Sequence, residues 1–285
     1  MTPQNRETLA VILNNLTYGL EVEVTGINTT TGSAVAAEIN AECGFSGRKA
    51  FKNVYDGSVM NGSEFVSGIM NFAEDLSATQ TAVRRIHARG GRAHESCGVH
   101  VHIGGAPFIA DPSALVRLVK TVARYEDHIY HALGADTPSR RGRWAQAVDP
   151  GFLARLEALP KRPTIDQVRS AWYNGVDGAG SRYHSSRYRL LNLHALFSKG
   201  TVEFRCFNAT THAGKIKAYI QLSALICAYA LNASKATSGR RSFDPTKAKY
   251  EVRTFLLKIG AIGDNYETLR LHLTRHLEGN ASWHQ

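Results

Sequence analysis

The hydrophobic and polar positions of this chain fall into short alternating runs separated by longer stretches with helical spacing. Strands are predicted over residues 17–25, 50–55, 62–67, 98–104, 188–195 and 201–208, the last two joined as a hairpin through Ser198-Lys199-Gly200. Helices are predicted over 31–43, stopped by Gly44, and over 72–89, closed by Gly90-Gly91. The clearest helix opens with Asp111 as N-cap and Pro112 at its first position and runs to Gly134. A long apolar helix follows over 213–232, and two more over 245–259 and 265–277. Residues 135–186, rich in Arg, Pro and Gly, read as loops and short helices. No internal repeat is present. This order of elements argues for an α+β fold, a sheet backed by helices on one face.

Four of the strand-like stretches carry polar groups two residues apart: Glu21-Val22-Glu23, His100-Val101-His102, Arg187-Tyr188-Arg189 and Glu203-Phe204-Arg205. Residues i and i+2 of a strand share a face, so each pair is expected side by side. In the first, second and fourth stretches, Leu20, Val22, Val24, Val99, Val101, Ile103, Val202 and Phe204 supply the opposite, apolar face. Taken singly, the pairs have ordinary readings: edge-strand acids, a structural or zinc-binding histidine pair, a cross-strand ion pair. Together, several carboxylates and a histidine make a site for a hard cation of the Mg²⁺ or Mn²⁺ kind. Neighbouring arginines suit phosphate or carboxylate groups.

The formal net charge of +10 favours anionic partners, nucleic acid included, but the cations are spread over several segments and read equally as a solvated surface. At 285 residues the chain can bury a large core. Its start lacks the pattern of a signal peptide, and no apolar stretch reaches membrane-spanning length. Cys43, Cys97, Cys206 and Cys227 lack CxxC spacing and read as reduced core thiols. These features point to a cytoplasmic protein.

The segments YGLEVEV, DGS followed by GSEFVS, CGVHVHIGG, RYRLLNLHAL and GTVEFRCFNAT stand in the order seen in the amidoligase family of the carboxylate–amine ligase superfamily, a distant relative of glutamine synthetase and glutamate–cysteine ligase. The resemblance covers residues 18–233. It implies a glutamine-synthetase-like, mainly antiparallel curved sheet with the active site on one face and helices on the other. It further implies a single catalytic domain over 1–285, with a core over 17–233 and a helical extension over 234–285. Neither a P-loop nor a dinucleotide fingerprint occurs, so the nucleotide is expected on the metal-bearing sheet.

By this resemblance Glu21, Glu23, Glu64 and Glu203 ligate Mg²⁺, with Mn²⁺ as a substitute. His100 or His102 meets the second metal or the phosphates of ATP, with no choice between them. Arg205 faces the transferring phosphoryl group, and Arg187 and Asn192 contact substrate or phosphate. The odd spacing of Arg187 and Asn192 requires a strand that starts after Arg187, or a bulge. Asp56 and Ser58 either orient the amine substrate, Asp56 taking its proton, or simply form a turn. Arg140 and Arg141 read equally as phosphate ligands and as surface residues, and Arg189 does not match a fixed arginine of the family.

The implied activity is ATP-dependent ligation of a carboxylate to an amine through an acyl phosphate. Its substrates are small molecules or peptides, at least one of them anionic, selected by residues 135–186; oligomer formation is left open. A metal-dependent hydrolase built on the HxH motif is the alternative, and a basic nucleic-acid-binding protein is a further rival.

Overall fold

The computed structural model describes residues 3–282, so the extreme ends of the expected 1–285 domain lie outside the described residues. Seven strands form one sheet: β1 (Thr17–Thr25), β2 (Lys52–Val54), β3 (Gly62–Val66), β4 (Met70–Asn71), β5 (Gly98–Gly104), β6 (Leu191–Asn192) and β7 (Thr201–Asn208). Their order is β2-β3-β1-β5-β7-β6, with β4 pairing β1 beyond the end of β3, and every named pairing is antiparallel. The sheet is open, and the fold is α+β.

Around it lie α1 (Pro3–Asn15), α2 (Thr29–Cys43), α3 (Leu76–Ala88), α4 (Ala106–Ala110), α5 (Pro112–Arg124), α6 (Glu126–Leu133), α7 (Pro150–Glu157), α8 (Ile165–Trp172), α9 (His194–Lys199), α10 (Ala213–Asn232), α11 (Ala248–Lys258) and α12 (Glu267–Thr274). The apolar face of the three central strands is fully buried: Leu20, Val22 and Val24, then Val99, Val101 and Ile103, then Val202 and Phe204. Helix α10 is buried on most sides because it packs against α1, α3, α5 and α12 as well as against β5. This apolar layer fixes which way the alternate side chains of β1, β5 and β7 point. Among the described residues no helix is long and apolar enough to cross a membrane. Cys97, Cys206 and Cys227 are buried free thiols, and Cys43 is half-buried.

Three expected elements differ. The predicted strand over 188–195 and its hairpin are replaced by the two-residue β6, the helix α9 and a left-handed Gly200 at φ 78°. Asn192 is the cause: its Oδ1 accepts the His194 backbone N–H at 2.9 Å and turns the chain into α9. The helix expected from 112 to Gly134 is two, broken at Tyr125. The ring of Tyr125 stacks on Phe255 with centroids 4.8 Å apart, and the following Glu126 carboxylate turns inward to accept the Val148 N–H at 2.5 Å. The apolar stripe runs across that break, so periodicity alone cannot reveal it. Finally, the helix expected over 72–89 begins only at Leu76, because Asp75 accepts the Asn71 N–H and closes a turn after β4.

Candidate active site

Register places the functional groups. Glu21 stands opposite His100, and Glu23 opposite Glu64. His102 stands opposite Glu203, and Glu203 opposite Asn192. All of these belong to the face turned away from the apolar layer. Between Val99 and Val101 the register shifts, so that one residue of β5, His100, lies opposite two of β7, Arg205 and Cys206. Arg205 thus sits in the bulge.

Around Glu203 the polar groups are paired. Its Oε1 accepts Arg205 Nη1 at 2.5 Å and its Oε2 accepts Asn192 Nδ2 at 2.7 Å. His100 Nδ1 donates to Glu21 Oε2 at 2.9 Å and lies 3.9 Å from Glu203 Oε1. His102 Nδ1 hydrogen-bonds Thr201 Oγ1 at 2.9 Å, and its Nε2 lies 3.2 Å from Glu21 Oε1, an ion-pair contact without hydrogen-bond alignment. Burial alone would raise the proton affinity of Glu203, which is 3% exposed. Arg205, His102 and His100 outweigh it and hold the carboxyl at about 2. Burial of Glu21 is likewise outweighed by His102 and His100, and the group is held well below the usual carboxylate range. His102 responds in the opposite sense: burial would lower it, but Glu21 and Glu203 raise it.

The other end of the row is different. Glu64, Glu23 and Asp56 bring carboxylate oxygens within 4.8 Å of one another. Glu23 accepts the Gly98 N–H at 2.5 Å, and Asp56 Oδ1 accepts both the N–H and the Oγ–H of Ser58 at 2.7 Å. Among the described residues no cation lies within ion-pair reach of Glu64 or Asp56. Burial and the negative charges of Glu21, Glu23 and Asp56 push Glu64 up to about 9.

Two further groups of possible ligand atoms follow: Glu21, Glu64 and His100, which shares Glu64 with this one, and Glu21, His102 and Glu203, which shares Glu21 with the second. Glu21 thus joins the two ends, and each histidine belongs to one group. The donor set is carboxylate oxygen supplemented by imidazole, which suits Mg²⁺ or Mn²⁺. The excess of acid at the Glu64 end is the observation that fits a divalent cation.

All of these residues except His102, which lies behind Glu21, line the floor of an open cavity of about 1350 Å³ whose walls are basic and aromatic. Arg205, 7% exposed, leaves its Nε unpartnered, and its guanidinium lies 5.9 Å from the Tyr188 ring centroid. Arg140 crosses β5 where a Cβ on Gly98 would come within 2.7 Å of its Nη1, and it donates to the Cys97 carbonyl. Arg187 reaches the cavity from a turn, between the rings of Tyr183 and Tyr188. The Arg-Tyr-Arg pair predicted on one strand face is therefore not formed, and the strand begins after Arg187. Arg189 points instead to the Ala147 carbonyl and Asp149, and Arg141 is engaged by Asp127 and Asp136. Sequence reasoning missed Lys199, 4.0 Å from Glu21, and Thr201, which orients His102. It also missed His194, whose Nδ1 hydrogen-bonds the Tyr173 hydroxyl at 2.6 Å. Only Thr201 carried a signal, as the first residue of the strand that holds Glu203.

A family model described as "Putative amidoligase enzyme" matches residues 14–227, most of the chain. The chain belongs to this amidoligase family. The matched span runs from the end of α1 into α10 and contains every strand of the sheet. No curated protein matches the chain. Among solved structures it is similar to a bifunctional glutathione synthetase from Pasteurella multocida, with 13% identity and a TM-score of 0.44 over 96% of this chain and 49% of that one. The chain thus spans about half the length of that protein.

Proposed function

We propose that this amidoligase is an ATP-dependent carboxylate–amine ligase that works through an acyl phosphate, on a glutamine-synthetase-like sheet. The observation that carries the proposal is the cavity itself, acidic on its floor and basic on its walls. A nucleotide triphosphate with divalent cations is the ligand that needs both. Its volume exceeds the roughly 300–1,000 Å³ of pockets for one drug-sized ligand, which leaves space for a second substrate.

Glu21, Glu23, Glu64, Glu203 and one or both histidines would hold Mg²⁺, with Mn²⁺ as substitute; when bound it supplies charge neutralisation and Lewis acidity toward phosphate oxygens. The protein's own groups do the rest. Arg205, fixed by Glu203 and with its Nε free, meets the transferring phosphoryl group. Arg187 binds substrate or phosphate from the wall, and Asn192 holds Glu203 in place. An oxygen of the substrate carboxylate attacks the γ-phosphorus, the bond to the β-phosphate oxygen breaks, and ADP leaves. The amine nitrogen then attacks the acyl carbon, phosphate departs, and Asp56 accepts the amine proton. The wall cations favour an anionic substrate, and the 135–186 segment, which supplies Arg140, Trp144, Arg182 and Tyr183, selects it. Residues 17–233 form the catalytic core in this reading, with α11 and α12 as its helical extension.

The test is ADP release from ATP and Mg²⁺ in the presence of pooled carboxylates and amines, comparing wild type with Glu203→Ala. Release that depends on a particular pair and is lost in the variant supports the ligase. Turnover of substrates without ATP would reject it.

A further inference from the structure

A second cavity, of about 230 Å³, lies on the helical side of the molecule and shares no lining residue with the first. It is bordered by Lys215 and Tyr219 of α10, by His272 of α12 and by Arg275 and His276 just after it. No carboxylate lines it. Elsewhere on the surface some arginines are matched by acids, Arg85 with Glu42, Arg89 with Glu38, Arg169 with Asp177 and Arg141 with Asp127. Here, among the described residues, the side chains of Lys215 and Arg275 have no hydrogen-bond or ion-pair partner. Lys215 is half-buried as a residue.

His272 reports the same imbalance. Its Nδ1 is buried and unpartnered, and its ring lies edge-on to His212 with centroids 5.0 Å apart. Burial, followed by the charges of His212, Arg275 and Lys215, lowers its proton affinity, and no acid acts in the other direction. His276 Nε2 is within 3.1 Å of the His131 carbonyl, which holds that imidazole at the cavity rim. His131 itself faces Asp136 at 3.6 Å, and Asp136 is already engaged by Arg141. The site is held in place by packing, since α12 lies along α10 through the buried Leu269 and Leu273.

We infer that this cavity is a binding site for a small dianionic oxyanion of the inorganic phosphate class, distinct from the active-site cavity. Lys215 and Arg275 supply the fixed charge, His272 supplies a ring N–H donor, His276 stands at the rim with its Nε2–H on the His131 carbonyl, and Tyr219 lines the wall. The size sets the class. The volume allows an oxyanion with a few waters, each of about 30 Å³, and falls below the roughly 300 Å³ at which pockets for drug-sized ligands begin.

The test is nitrogen-detected NMR of the histidine rings in the full chain, titrated with inorganic phosphate at constant ionic strength kept with chloride. His272→Gln and His276→Gln assign the two signals. The expected result is a saturable shift of the His272 and His276 resonances. The apparent affinity should weaken roughly tenfold or more in the Lys215→Met/Arg275→Gln double variant, the scale of one lost charge-assisted hydrogen bond. Lys215→Arg should retain the shift, which separates loss of charge from loss of folding. Absence of a saturable shift in wild type, or equal affinity in the double variant, overturns the inference. Phosphate bound only in the active-site cavity would leave both ring signals unmoved and would overturn it as well.

Discussion

The two ends of the carboxylate row use the same residue type on the same sheet, yet their chemistry is opposite. Glu203 is held at about 2 and Glu64 is pushed up to about 9. Glu203 is buried and Glu64 half-buried, so burial alone would raise Glu203 more; their neighbours reverse that order. Glu203 has Arg205, Asn192 and the two histidines, whereas Glu64 faces Glu21, Glu23 and Asp56. One end is complete as it stands, and the other lacks positive charge. In the proposed function both ends contribute metal ligands, but the Glu203 end is already held in place by its partners, and the Glu64 end is the one whose excess of acid a divalent cation would relieve.

The sharpest way to break this comparison is to remove one carboxylate at each end. Glu203→Ala strands the buried Arg205 and Asn192, and unfolding in denaturant should show a loss of about 3–5 kcal/mol, the scale of a broken buried pair. ADP release should vanish with it. Glu64→Gln should behave in the opposite way. Glu64 is raised from 4.5 to about 9 in the metal-free folded state, so near neutral pH folding must take up a proton; the amide needs none and should raise metal-free stability rather than lower it, while Mn²⁺ affinity falls by roughly tenfold or more.

The next effect is the pH dependence. Metal must displace the Glu64 proton, so Mn²⁺ affinity should rise by up to about tenfold per pH unit between pH 7 and 8. Calorimetry in buffers of different ionisation enthalpy should register proton release that Glu64→Gln abolishes. The stability linkage of metal-free protein has the opposite sign at the two ends. Glu64 is raised in the folded state, so its contribution is full below its ordinary value of 4.5 and is lost as pH rises through about 9. Glu203 is depressed, so its contribution is present above 4.5 and is lost as pH falls through about 2. Pulse denaturation across this range should show a slope above pH 7 that Glu64→Gln flattens and that Glu203→Ala leaves in place.

The smallest effect is expected at Asp56. Asn at this position can still accept the Ser58 hydrogen bonds, so stability should change by about 0.5 kcal/mol or less. A few-fold loss of Mn²⁺ affinity is expected, smaller than that of Glu64→Gln.

Much of this site was legible in the sequence because strand periodicity is strict. Once Leu20, Val22 and Val24 are assigned to the core, Glu21 and Glu23 have only the other face, and the same holds for His100, His102 and Glu203. The opposed fates of Glu203 and Glu64 were not legible. They depend on which strand lies beside which, and on Asn192 and Arg205 arriving from β6 and the bulged β7. The Arg-Tyr-Arg stretch misled for a related reason. Its alternation fits a strand, but Arg187 lies in the turn Ser185–Arg187, and Asn192 accepts the His194 N–H where the chain enters α9. Arg140 and Arg141 were indistinguishable as neighbours in sequence; only Gly98 beneath one and Asp127 beside the other separate them.

The most direct test of the central claim is Mn²⁺ titration followed by electron paramagnetic resonance, with and without ATP, on wild type and Glu64→Gln at pH 7. Wild type should bind Mn²⁺, more tightly with ATP present, and the variant should lose that binding while staying folded. Equal Mn²⁺ binding by the two proteins, or none by wild type with ATP, would contradict the assignment of the acid-rich end to a metal.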